Sequence, residues 1–148
     1  MIKLREFIVL TGALALGACA SAQTARRESI NPPGATRLGP YSTAVRTGSL
    51  VFFSGVIGMR PAGAGLPEGT EAQARQALEN LRSNLTLAGL TPRDVVKCTV
   101  FLVDMADYQV VNQVYGQFFT EDPPARSAVA VAALPANARI EIECIAAQ

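Results

Sequence analysis

The sequence contains no histidine, which is both the commonest general base near neutral pH and the commonest metal ligand in proteins. Its three cysteines lie far apart along the chain and do not show the spacing of a metal site. The body of the chain has no basic run, so it lacks the electrostatic footprint of a nucleic-acid-binding protein. These absences predict a protein that holds no metal and binds no nucleic acid.

What the chain does contain suits one folded domain. Its 148 residues fit a single domain, and 49% of them are hydrophobic, which is enough for a core. The 13 basic and 12 acidic residues nearly cancel, to a net charge of +1. Such a neutral domain does not indicate a charged macromolecular partner.

The N-terminal residues 1–22 are predicted to be a signal peptide. Lys3 and Arg5 precede an apolar run over residues 7–18. A run of about a dozen residues is too short to span a bilayer but typical of the central region of a signal peptide. We therefore expect export from a bacterial cytoplasm into the periplasm.

The way in which this leader is processed stays open. Residues 16–19 resemble a bacterial lipobox, in which Cys19 would become the lipidated N-terminus, and this interpretation is favoured. Residues 20–22 resemble an ordinary signal-peptidase site, and an uncleaved anchor is the third alternative. A lipid on Cys19 would be the protein's attachment to the membrane. Residues 23–36 are polar, lack apolar periodicity and are predicted to be a linker.

Residues 37–148 are predicted to form an α+β domain with the order β-β-α-β-α-β-β. Strand segments are recognised by short apolar runs, and helices by apolar residues at helical spacing. Thr70 is predicted to cap the first helix and Gly89 to end it. The predicted elements are a hairpin within 42–54, a helix over 70–88, a strand over 95–103, a helix between 104 and 123, and strands over 127–133 and 140–147. Both helices are expected on one face of one mixed sheet.

Arg126 is the first candidate for a functional residue, because it begins an apolar strand. Its guanidinium is always charged, costly to bury unpaired, and shaped to bind both oxygens of a carboxylate. The small residue Ala128 shares its strand face and leaves room in front of it. An internal salt bridge or an exposed strand end would explain the same pattern.

Glu141 is the second candidate, as an acid/base carboxylate in a chain without histidine. It alternates with apolar residues, which a strand with one solvated face also explains. If the last two strands form a hairpin, Glu141 pairs with Ala132, six residues from Arg126, or about 20 Å at strand rise. The two side chains would then act together only if they came from different subunits, which favours an oligomer.

Other positions are weaker candidates. Ser54 and Gly55 end a strand where backbone N–H groups could face a ligand, although a plain turn explains them equally well. Tyr41 lies on a loop, and Asn112 lies beside the apolar stripe of the second helix. Cys98 and Cys144 are interpreted as buried small hydrophobic residues, with a disulfide between them left open.

Six segments together resemble the reactive intermediate deaminase (Rid, or YjgF) family. The resemblance runs from about residue 30 to the end of the chain, with the segments in the family's order. They are GPYSTAV (39–45), LVFFSG (50–55), QARQALENL (73–81), DVVKCTVFLVDMADYQVVNQVYGQFF (94–119), PPARSAVAVAALP (123–135) and IEIECIA (140–146).

This resemblance implies a chorismate-mutase-like fold and a homotrimer with ligand clefts between subunits. The implied activity is that of a 2-iminobutanoate/2-iminopropanoate deaminase, which hydrolyses enamines and imines such as 2-aminoacrylate to 2-keto acids and ammonia without a cofactor. Arg126 matches the arginine that binds the substrate carboxylate, and Glu141 the glutamate that orients the attacking water. The remaining matches to cleft positions are Tyr41, Ser54, Gly55 and Asn112.

Two positions differ from the family's pattern. Val56 replaces the usual glutamine after Ser54 and Gly55, and Ala128 replaces a cysteine often found after the arginine. These differences, with the predicted export, keep open an alternative in which the protein binds small carboxylates or unfolded clients without catalysis.

Overall fold

In a computed structural model, which describes residues 26–34 and 39–148, six strands form one mixed sheet and two α-helices pack on one of its faces. The elements in chain order are β1 (Glu28–Ile30), β2 (Ala44–Thr47), β3 (Leu50–Ile57), α1 (Thr70–Leu87), β4 (Val95–Leu102), α2 (Tyr108–Phe118), β5 (Ala125–Ala130) and β6 (Ile140–Ala147). The predicted α+β fold class is confirmed. The predicted signal peptide and Cys19 lie outside the described residues.

One strand was not expected. Within the segment 23–36, which was predicted to be a linker, Glu28–Ile30 forms the short edge strand β1 and pairs antiparallel with β2. Three residues are too few to show an alternating pattern, so the sequence carried no signal for this strand. None of the helices in the described part of the chain is both long and apolar enough to cross a membrane.

The helix α1 forms where apolar spacing predicted it, and Gly89 follows its end as predicted. Its buried face is built by five apolar residues at helical spacing, namely Ala74, Ala77, Leu78, Leu81 and Leu85. Gly89 follows the helix with a φ of +74°, a left-handed conformation that glycine adopts at little cost. Thr70 is the first residue of the helix rather than its cap, a position that Gly69 occupies.

The strand order corrects one prediction. The sheet runs β1-β2-β3-β6-β4-β5, so β6 pairs antiparallel with β3 and β4, while β5 pairs parallel with β4. The expected hairpin of the last two strands, with Glu141 opposite Ala132, is therefore wrong. The physical reason is that β4, α2 and β5 form a parallel crossover unit, which leaves the other edge of β4 for β6.

Cys98 and Cys144 lie directly opposite each other on β4 and β6 and form a disulfide. Their Cα atoms are 4.1 Å apart, and the two residues are 46 positions apart in the sequence. Both are buried in the core, as expected, and the disulfide that the sequence left open is formed. The bond closes a long loop and links two adjacent inner strands of the sheet.

We expect this disulfide to stabilise the fold by about 2–4 kcal/mol, because it restricts the unfolded chain. The double variant Cys98→Ala/Cys144→Ala should lose that amount in urea unfolding followed by circular dichroism. A reductant should destabilise the wild-type protein and leave the double variant unchanged. Equal stability of the two proteins under oxidising conditions would contradict the prediction.

Candidate functional site

The strand pairing sends Arg126 and Glu141 to opposite faces of the sheet. Arg126 lies opposite Cys98, which lies opposite Cys144, so these three side chains point to the face that the helices cover. Glu141 is three positions from Cys144 on β6 and therefore points to the other face. Within one subunit the two side chains do not meet. The sequence predicted a long distance between them along a hairpin, whereas in the structure they are separated because they lie on opposite faces of the sheet.

Arg126 is held by three side chains of α2, which we call the Arg126 seat: Tyr108, Asn112 and Tyr115. Its Nη2 donates to Asn112 Oδ1 at 2.6 Å and to the Tyr108 hydroxyl at 3.3 Å. The guanidinium carbon lies 4.7 Å from the ring centre of Tyr115 and 5.6 Å from that of Tyr108, where ring faces attract a cation. Residues spaced by four and three along a helix share a face, which brings the three together.

The structure thus places Asn112 with Arg126 and adds two tyrosines that were not among the candidate site residues. Tyr108 and Tyr115 both follow helical spacing, which is equally typical of residues that only pack in the core. Nothing in the sequence therefore indicated that they contact Arg126. Burial raises the pKa of Tyr115 to about 12, against an opposing effect of the Arg126 charge, so this phenol stays neutral at physiological pH. A neutral ring leaves the positive charge of Arg126 uncompensated.

Arg126 forms no ion pair with a carboxylate among the described residues. The five ion pairs in that part of the chain all involve other arginines. The internal salt bridge considered from the sequence is therefore not formed there. A half-buried guanidinium that is oriented by neutral groups favours an external anion as its partner.

Glu141 lies in a separate cleft of about 370 Å³, which we call the Glu141 cleft. The predicted residues Tyr41, Ser54 and Gly55 line it, together with Ile57 and Pro135. Ser54 donates its hydroxyl hydrogen to the Ser42 carbonyl at 2.7 Å. The structure therefore brings four of the six predicted site residues of the fold together here, and the other two together at the Arg126 seat.

Gly55 leaves space that the Glu141 side chain occupies. A Cβ at position 55 would lie 1.8 Å from Glu141 Oε1, far inside van der Waals contact. The pairing of β3 with β6 is interrupted between Phe53 and Val56, where Ser54 and Gly55 form an irregularity. Gly55 thus gives the carboxylate room, a role that was not among the sequence-based expectations.

The environment of Glu141 raises the pKa of its carboxyl group. Burial raises the pKa of this carboxyl above its ordinary value, and the negative charge of Glu143 on the same strand face adds to the effect. A raised pKa brings a carboxylate closer to the range in which it both accepts and returns protons. Glu141 is therefore suited to proton transfer.

The two positions that differ from the family pattern, Val56 and Ala128, lie beside these sites. Val56 pairs with Ile142 and packs against the core, while it also lines a larger neighbouring cleft. Ala128 is half-buried beside the core on β5. Among residues 26–34 and 39–148, no group of three or more acidic or cysteine side chains is arranged to hold a metal ion.

We expect the pKa of Glu141 to fall in the variant Glu143→Gln, because a like charge is removed. It should remain above the ordinary glutamate value, since burial is the larger cause. NMR titration of ¹³C-labelled carboxyl groups measures this shift, and Glu79→Gln on the exposed surface of α1 is the matched control. An unchanged pKa of Glu141 in Glu143→Gln would contradict this account of the cleft.

Comparison with known proteins finds relatives that match most of this chain. The family model described as Endoribonuclease L-PSP matches residues 33–148. Reactive Intermediate Deaminase A, chloroplastic, of Arabidopsis thaliana is 44% identical over 128 residues, covering 85% of this chain and 68% of the relative. The human 2-iminobutanoate/2-iminopropanoate deaminase is 47% identical over 117 residues, covering 78% and 84%.

A solved structure agrees with the fold. The crystal structure of Escherichia coli TdcF with bound serine is 41% identical to this chain and superimposes with a TM-score of 0.76. The match covers 82% of this chain and 98% of TdcF.

Proposed function

The chain belongs to the Rid/YjgF family, which the L-PSP family model describes, and on this premise we propose that it hydrolyses reactive enamines and imines to 2-keto acids and ammonia. The names of relatives that are 44% and 47% identical support this activity. The observation that carries it in this chain is Arg126, an oriented guanidinium without a carboxylate partner among the described residues.

In this proposal Arg126 binds the substrate carboxylate. Its planar fork matches two carboxylate oxygens, and the bond to Asn112 fixes the plane of the fork. The serine in the TdcF structure is also a small molecule with a carboxylate. The substrate class is therefore a small 2-imino acid or its enamine tautomer.

Glu141 supplies the proton transfers. An imine carbon is already electrophilic, so water needs a defined position more than strong activation. Glu141 accepts a proton from the attacking water as the new carbon–oxygen bond forms, and returns that proton to the imine nitrogen, which gives a carbinolamine. Glu141 then accepts the hydroxyl proton of the carbinolamine and delivers it to the nitrogen, so that the carbon–nitrogen bond breaks, the carbonyl of the 2-keto acid forms and ammonia leaves. Tyr41 and Ser54 line the same cleft and complete its surface.

We further propose that the active unit is a homotrimer whose sites lie between subunits. The sheet face away from the helices, called the open face here, exposes Phe52 and Val129 at 42% and 41%. Exposed apolar side chains of this size favour burial against another surface. A neighbouring copy on this face would bring a second subunit to the Glu141 cleft, which the Arg126 of the same subunit does not reach.

The family model's description names a nuclease, but the net charge of this chain does not favour binding to a nucleic acid. Without residues 1–18 the chain carries 11 basic and 11 acidic residues, and a neutral domain lacks the electrostatic attraction that drives binding to phosphates. A small carboxylate remains the ligand that Arg126 favours.

The deaminase proposal is tested with the purified protein and a pyridoxal-phosphate enzyme that releases 2-aminoacrylate. Wild-type protein should accelerate keto-acid formation, whereas Arg126→Ala and Glu141→Gln should each abolish it. When the two variants are unfolded together and reassembled, about a quarter of the wild-type rate should return, because random assortment joins an intact Arg126 and an intact Glu141 at about one interface in four. Arg82→Gln, an exposed arginine on α1, is the control.

Two outcomes would contradict these proposals. A wild-type protein that binds 2-keto acids without accelerating the reaction would exclude the deaminase. Inactive mixtures of the two variants, with normal trimers in both, would exclude sites shared between subunits.

We also propose that the protein is exported and attached to a membrane through Cys19. The apolar leader supports this proposal, as does the Cys98–Cys144 disulfide, because such bonds persist mainly in oxidising compartments. In a Gram-negative host the protein should label with palmitate and fractionate with membranes, and Cys19→Ser should abolish the labelling. A wild-type protein that stays in the cytoplasmic fraction would contradict export.

A further inference from the structure

A cluster of polar side chains outside both sites joins three elements of the fold. It consists of Thr70 and Gln73 in the first turn of α1, Asp107 immediately before α2, and Arg139 immediately before β6. We call this cluster the clamp. No step of the proposed reaction uses any of its four residues.

The side chains of the clamp form a closed triangle. Arg139 Nε donates to Thr70 Oγ1 at 2.6 Å, and Arg139 Nη2 donates to Asp107 Oδ2 at 2.7 Å. Thr70 Oγ1 donates its only hydrogen to the same Asp107 oxygen at 2.6 Å. Each group therefore holds the other two in place.

A second set of bonds fixes the main chain at Arg139. Its backbone N–H donates to Gln73 Oε1 at 2.8 Å, and Gln73 Nε2 donates to the Pro67 carbonyl at 3.1 Å. Gln73 and Thr70 are buried, with 5% and 6% of their surface exposed, whereas the Arg139 side chain is 43% exposed. Because an exposed ion pair contributes little to stability, the buried hydrogen bonds are the main interactions that hold the clamp together.

Asp107 is ionised at neutral pH. The hydrogen bond from Thr70 is the largest influence on the pKa of Asp107, and together with Arg139 it lowers this pKa below its ordinary value against the opposing effect of burial. The carboxylate therefore accepts both bonds under physiological conditions.

The clamp lies between the two groups of site residues. Arg139 is two residues before Glu141, and Asp107 is the residue before Tyr108 of the Arg126 seat. The α2 helix begins directly after Asp107 and includes Asn112, which binds Arg126 directly. A shift between the starts of β6 and α2 would move Glu141 relative to the Arg126 seat.

We propose that the clamp is a positioning device that fixes the start of β6 against the start of α2, and so sets the relation between Glu141 and the Arg126 seat. Thr70, Asp107 and Arg139 are positioning residues in this view, because none of them touches the substrate. The catalytic consequence rests on the proposed deaminase function, whereas the mechanical consequence does not. A misplacement of about 1 Å costs on the order of a hundredfold in rate, so a small slip would be measurable.

Thr70→Val and Thr70→Ser form a matched pair that tests this proposal. Valine has the shape of threonine without the hydroxyl, whereas serine keeps the hydroxyl. With the pyridoxal-enzyme assay, Thr70→Val should lower kcat at least about tenfold and change KM less than about threefold, since the Arg126 seat itself is intact. Thr70→Ser should retain most of the wild-type kcat.

Hydrogen–deuterium exchange provides a readout that does not depend on activity. In Thr70→Val, peptides that cover residues 104–112 and 138–143 should exchange faster than in Thr70→Ser, while the C-terminal half of α1 should be unchanged. Arg139→Gln is a second variant for the same measurements, in case Thr70→Val does not fold. Arg82→Gln is its control, with a similarly exposed side chain that pairs within α1.

The outcomes separate the clamp from the deaminase. If the wild-type protein is active and Thr70→Val matches Thr70→Ser in kcat and in exchange, the clamp is excluded and the deaminase stands. If the wild-type protein is inactive, the deaminase proposal fails, and exchange alone decides the clamp. Unchanged exchange at both segments would then exclude it.

Discussion

The pairing of β6 on both of its edges is the constraint on which the rest of the structure depends. Because β6 lies between β3 and β4, its alternate residues must serve two different environments. Ile140, Ile142 and Cys144 fill the core under the helices, whereas Glu141 points to the other face. The same strand therefore supplies the centre of the core, one half of the disulfide and the carboxylate of the proposed site.

Arg126 depends on this arrangement through β4. The disulfide joins β4 to β6 at the level where β5 places Arg126, so the guanidinium lies over a rigid part of the sheet. The aromatic rings and the amide of α2 then orient a charge that has no carboxylate partner among the described residues. An oriented, uncompensated cation is prepared to bind a small anion with little further ordering, which reduces the entropy lost on binding. The strands β4, β5 and β6 thus both form the core and position the residues of the proposed site.

Local patterns predicted much of the fold because they depend on neighbours in the sequence. The spacing of Leu78, Leu81 and Leu85 was sufficient for α1, and Gly89 was sufficient for its end. The strand β1 gave no such signal, since Glu28–Ile30 is too short for a pattern. Tyr108 and Tyr115 were hidden for another reason: a ring at helical spacing is equally consistent with packing and with a contact to a cation.

The sequence by itself determined which side chains were available for chemistry: Arg126 and Glu141 in a chain without histidine, in segments that resemble one family. Tertiary structure alone decided that the two lie on opposite faces, that Cys98 meets Cys144, and that Thr70 binds Asp107 and Arg139 instead of capping its helix. The physical reason is that strand order and register are set by contacts between distant residues. Because β6 pairs with β4, the residues opposite each other on these strands differ from those of the predicted hairpin. The spacing of residues within one segment carries no information about that pairing.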